Sequence, residues 1–184
     1  MTVYAIVLFL HIVGALGFFV ALGLEWVGLL SLRQVSTIEP ACEWLGALDR
    51  LRRVGPISMG LLLLSGAYMM HSAWGGVPWI IIALAAMVLM IVPGVISGRR
   101  LAALGRAIAS ESGALSSAFR QRLLDPILWA SIQTRVGIAV GIVFLMTVKP
   151  GLREALLTIG LAVILGLVSA WPVLRGQPKY SNPK

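Results

Sequence analysis

From Thr2 to Leu24 the chain has no Asp, Glu, Lys or Arg, and from Val54 to Gly98 it again has none. No other feature restricts the fold as strongly. A helix crosses a hydrocarbon core in about 20 residues, so the first run makes one crossing, bracketed by Tyr4 and Trp26. At about 1.5 Å of rise per residue the second run is too long for one crossing. It is interrupted by HSAWGGVPW (His71–Trp79). There Gly75, Gly76 and Pro78 stop a helix, and Trp74 and Trp79 suit a membrane interface. A helical hairpin follows, with Pro56 opening its first arm and Pro78 its second.

A fourth span starts at LDPILW, with Asp125 as N-cap and Pro126 at the first helical position. The KPG turn (Lys149–Gly151) separates it from a fifth. The runs are continuous rather than alternating, which excludes barrel strands. The expected fold is all-α: one polytopic membrane bundle with spans at about 3–30, 55–74, 78–97, 126–148 and 154–174. With 59% hydrophobic and 12% charged residues, the composition is that of a membrane protein.

The net charge of +8 belongs to topology. Arg33, Arg50, Arg52 and Arg53 follow span one, and Arg99, Arg100, Arg106, Arg120 and Arg122 follow span three. Arg175, Lys179 and Lys184 form the tail, and only Lys149 and Arg153 lie on the other side. The positive-inside rule then sets the N-terminus outside and the C-terminus in the cytoplasm of a bacterial inner membrane. Charges spread between apolar runs do not make a nucleic-acid face. The start lacks a basic n-region and its apolar run is too long for a cleavable signal, so it reads as a permanent span. The single cysteine, Cys42, allows no intrachain disulfide and reads as a reduced thiol. Segments 39–53 and 99–124 carry apolar stripes (Trp44, Leu45, Leu48 and Leu51; Leu101, Leu104 and Ile108) beside basic residues. Both are expected to lie on an anionic inner leaflet.

Ionisable groups inside spans need a partner or a purpose. Span one runs inward and span four outward. Side chains tilt toward the N-terminus of their own helix, so Glu25 leans into the membrane and Arg135 leans back toward the cytoplasm. An ion pair that fixes helix register is the expected outcome, with Ser131 and Thr134 near enough to help solvate the guanidinium. An anion or proton site is the alternative. His11 shares a helical stripe with Gly14, Phe18, Ala21 and Glu25, which places it inside the bundle. It has three readings: a neutral imidazole hydrogen-bonded to Tyr68 or Ser65, one axial ligand of a haem b shared with His71, or a bystander to a copper site at Met69, Met70 and His71. The copper set converges only if the helix ends there, since successive helical residues point about 100° apart.

GIAVG (Gly137–Gly141) and Ala162–Gly166 are small-residue packing motifs, and Pro93 is expected to kink or end span three. No Walker loop, HExxH or GxSxG occurs. LHIVGA, RRVGPISMGLLLLSG, GIVFLMTVKPGL and DPILWASIQTR resemble a family of small bacterial integral-membrane proteins of unknown function. The Leu-His start of span one is also similar to copper-resistance D-type membrane proteins and HemJ-type protoporphyrinogen oxidases. That resemblance implies a metal or haem ligand at His11. The oxidases also use a lysine near the second span, whereas this chain has no lysine before Lys149. The leading expectation is a membrane protein without catalysis of its own, a scaffold or accessory subunit acting with copies of itself or a membrane partner. A haem-handling redox protein, a copper handler and a small transporter are the alternatives. No internal repeat favours the transporter.

Overall fold

The computed structural model describes residues 2–109 and 115–175, the side chains of 172–175 apart. Eight α-helices account for most of them, with no β-strand among the described residues: α1 (Val3–Leu32), α2 (Ile38–Leu51), α3 (Val54–Met69), α4 (Pro78–Leu89), α5 (Ile91–Ile108), α6 (Ser117–Leu123), α7 (Pro126–Val148) and α8 (Leu152–Arg175). Met70–Trp74 extends α3 as a π turn. Five stretches are long and apolar enough to cross a membrane: Val3–Leu32, Ile38–Trp74, Pro78–Ile108, Ser117–Val148 and Leu152–Trp171. The chain is a multi-pass membrane protein. Phe9, Leu16, Leu64, Val140 and Leu161 point outward, which costs nothing where the solvent is lipid.

Local chemistry explains where the helices begin and end. Gly75 takes φ +65°, a left-handed conformation that glycine adopts without a Cβ penalty. The chain then turns back, and Pro78 opens α4. Asp125 caps α7 by accepting from the Ile127 amide at 2.9 Å, with Pro126 in the first turn. Pro93 has no amide to give the Leu89 carbonyl, and the helix breaks between Leu89 and Ile91. Span three is therefore α4 plus α5, and α5 carries it past Gly98 to Ile108.

α1 packs along α3, and α7 along α8. The second pair approaches closely through small residues. A Cβ on Gly166 would stand 2.7 Å from the Gln133 carbonyl oxygen and 2.8 Å from the Thr134 Cα, and one on Gly137 would meet the Ala162 carbonyl.

The two ends of the bundle differ. At one end Trp74 donates to the Tyr4 hydroxyl at 3.3 Å, packs edge-on against Trp79, and lies under the Lys149 ammonium. At the other, basic end, α2, α5 and α6 do not leave their apolar faces to lipid. Ala41, Leu45, Leu104, Ile108, Phe119 and Leu123 are buried in one core with Leu29, Leu32 and Trp129. Trp44, Leu48 and Leu101 pack against that core. These helices lie against α1 and α7, where protein covers their stripes. Arg33 stacks over the Trp129 ring at 5.4 Å, and desolvation there lowers its pKa. Arg100 pairs with Asp125, tying α5 to the start of α7.

Candidate functional site

Two polar contacts lie inside the apolar helices. In the half nearer the aromatic end, His11 Nδ1 and Ser65 Oγ are 2.9 Å apart, joining α1 to α3. Ser65 donates back to the Leu61 carbonyl at 2.5 Å, so its oxygen accepts from the imidazole in the neutral tautomer protonated at Nδ1. Ser65, not Tyr68, is thus the histidine's partner; Tyr68 faces outward, 40% exposed.

The residues of the haem and copper readings lie on α1, at the end of α3 and in the π turn. His11 Cε1 packs toward Gly66, 3.5 Å from where a Cβ would stand. His71 lies five residues further along, about 7 Å by helical rise, with its side chain exposed. Met69, Met70 and His71 occupy successive positions in a helix that continues to Trp74. The helix end that would let them converge comes four residues later, at Gly75. Among the described residues no group of three His, Cys, Asp or Glu side chains is placed to hold a metal ion.

The second contact lies in the basic half. Arg135 of α7 donates from Nη1 to Glu25 Oε2 of α1 at 2.7 Å and to Ser97 Oγ of α5 at 3.0 Å. Ser97 in turn donates to the Gly94 carbonyl. Three helices from distant parts of the chain meet at one guanidinium. Both charged side chains are shielded, at 10% and 15% exposure. An unpaired arginine in mid-span costs about 2.5–3.5 kcal/mol on insertion scales, and the pairing with Glu25 offsets that cost. Ser131, on the arginine's own helix, donates to the Ile127 carbonyl instead.

The Glu25–Arg135–Ser97 group forms part of the wall of a cavity of about 980 Å³ between α1, α2, α3 and α5. That is the volume of a small-molecule site. Phe18, Met59, Leu63 and Met90 line its apolar part, and Arg52, Arg99, Arg106 and Asp49 its basic part. Four glycines in its wall (Gly46, Gly60, Gly98 and Gly105) have nothing within 4 Å of a built Cβ. Gly inside a helix is about 1 kcal/mol worse than Ala, and no neighbour here requires its small size. Their effect is to widen the cavity. Cys42 also borders it and is exposed.

Two parts of this site have no clear signal in the sequence: Ser97, and the cavity itself. Serine three turns before the end of a long helix has no pattern of its own, although its nearness to the Arg99–Arg100 end of span three is a usable hint. The glycines lie on three separate helices and look like packing residues until the helices are assembled. Compared with known proteins, the chain matches no family model, no curated protein and no solved structure.

Proposed function

We propose that this chain is a multi-pass protein of a bacterial cytoplasmic membrane that acts by binding rather than by chemistry of its own. It serves as an accessory subunit that holds an amphipathic small molecule in the cavity at its basic end. The N-terminus lies outside and the C-terminus in the cytoplasm, because this threading puts every arginine cluster between spans on the inner side. The basic end then sits at the cytoplasmic leaflet.

The observation that carries this reading is the cavity. It joins apolar walls to charged ones, is widened by glycines that no packing contact requires, and rests on an ion pair that locks three of the helices around it. Such a volume closes readily in a bundle that only scaffolds, since filling it with side chains adds contacts. Native mass spectrometry of the full chain, released from its own membranes in mild detergent, is expected to find one small molecule retained per chain. Gly60→Leu with Gly98→Leu, which fill the open space beside those positions, is expected to lose it. Identical bare masses for both proteins would overturn the binding reading. For topology, a reporter fused after Lys184 is expected to read cytoplasmic, and a periplasmic signal would overturn the threading.

A further inference from the structure

We propose that the occupant of the cavity is a phosphate-bearing amphiphile, an anionic glycerophospholipid drawn from the inner leaflet, with its phosphate held between Arg99 and Arg106. This rests on the binding reading above and names the chemistry of that site.

The charges lining the cavity decide the headgroup. Its carboxylates are Glu25 and Asp49, and each already has a cation: Arg135 at 2.7 Å and Arg52 at 3.3 Å. Arg99 and Arg106 remain, and no carboxylate among the described residues is paired with either. They stand seven residues apart on α5, two helical turns, and so point to the same side about 10 Å apart along the axis. Arg106 uses Nε on the Ala102 carbonyl, which leaves its terminal nitrogens for a ligand. Each guanidinium is a planar fork of donors. A phosphodiester carries its negative charge on two non-bridging oxygens, so each guanidinium can take one of them.

The rest of the cavity decides the remainder of the molecule. Between the two arginines α5 presents Leu101, Ala102 and Gly105 to the space, and Gly98, Val95 and Gly94 follow on the way inward, so its side chains there are small or apolar. Deeper in are Phe18, Met59, Leu63 and Met90, an apolar lining. In the threading proposed above, the arginines stand at headgroup level and the apolar part at acyl level, which is how a lipid already lies in the leaflet. A second cavity, of about 560 Å³, between α5, α7 and α8 has no charged side chain in its lining and no such match to a headgroup.

The test offers the purified full chain, in mild detergent, equal amounts of phosphatidylglycerol and phosphatidylcholine with the same acyl chains. Native mass spectrometry reads which is kept. The wild type is expected to prefer phosphatidylglycerol about tenfold. Arg99→Gln with Arg106→Gln is expected to bring the two lipids to parity while total bound lipid stays the same. Gly60→Leu with Gly98→Leu is expected to lose both, with circular dichroism showing unchanged helix content. A preference that survives loss of both arginines would overturn the headgroup assignment and leave the cavity reading intact, provided the filled variant still sheds lipid. Lipid kept equally by the filled variant lies on the outer surface of the bundle and would overturn both. Glycerol 3-phosphate in excess is expected not to displace the bound lipid. Displacement would reassign the phosphate to a soluble compound and overturn the lipid source.

Discussion

His11 and Arg135 both interrupt apolar helices, and the bundle accommodates them differently. His11 meets one neighbouring helix, through the Ser65 hydroxyl and the Leu62 backbone, in a contact that leaves the imidazole partly exposed. Arg135 meets a carboxylate and a hydroxyl on two other helices and is 8% exposed. The first is a neutral hydrogen bond between groups that can each find other partners if the bond is lost. The second gathers opposite charges out of lipid, where neither has an alternative. The histidine contact is thus local and replaceable, whereas the arginine contact holds α1, α5 and α7 in register and shapes the cavity beside it.

The largest expected effect comes from breaking the charged contact. Arg135→Ala leaves Glu25 enclosed without a cation and is expected to cost about 3–5 kcal/mol of bundle stability, read from unfolding by denaturing detergent. A loss no larger than that of His11→Ala would erase the distinction between the two contacts. Next, a double-mutant cycle sharpens it. Glu25→Ala with Arg135→Ala is expected to show a coupling of about 1–3 kcal/mol. His11→Ala with Ser65→Ala is expected near about 0.6 kcal/mol, the average for hydrogen bonds between membrane helices. Additive losses at Glu25 and Arg135 would mean that they do not act as a pair. Among the single substitutions the smaller effect is that of His11→Ala, about 1 kcal/mol. With haem precursor supplied during expression, the purified protein is expected to show no Soret band that depends on His11. A Soret band lost in His11→Ala would mean that the imidazole ligates iron.

Features set by a few adjacent residues are legible in the amino-acid sequence alone. Gly75–Pro78 turns the chain as a glycine with positive φ and a helix-opening proline require, and Asp125–Pro126 starts α7. Glu25 and Arg135 lean toward each other because their helices run in opposite directions, and they are 2.7 Å apart. Features that depend on how separate segments assemble are not legible in this way. The stripes at 39–53 and 99–124 have the same pattern whether lipid or protein covers them. Only the return of α2 and α6 onto α1 and α7 shows that Leu45, Leu104 and Phe119 face a protein core. Residues 110–114 of the second segment lie outside the described residues. The π turn at the end of α3 has no signal of its own in the residue types. Glycines at 75 and 76 mark the stop, yet the backbone stays helical through His71 and Trp74 as a π turn, which keeps Met69, Met70 and His71 pointing apart.

The break at Met90 has a mechanical meaning. Span three is two stiff rods meeting at a joint, and the joint residue is buried at 2% exposure in the cavity wall. Pro93 removes the hydrogen bond that would make the rods one. Met90 still donates to the Ala86 carbonyl and accepts from the Gly94 amide, so the missing bond weakens the junction without cutting it. α4 meanwhile stays clamped through Trp79 to the aromatic knot at the far end. The fold thus has a soft point beside the space it encloses and a fixed anchor at the opposite face. A shape change at the basic end would be taken up at Met90 rather than passed to the aromatic end.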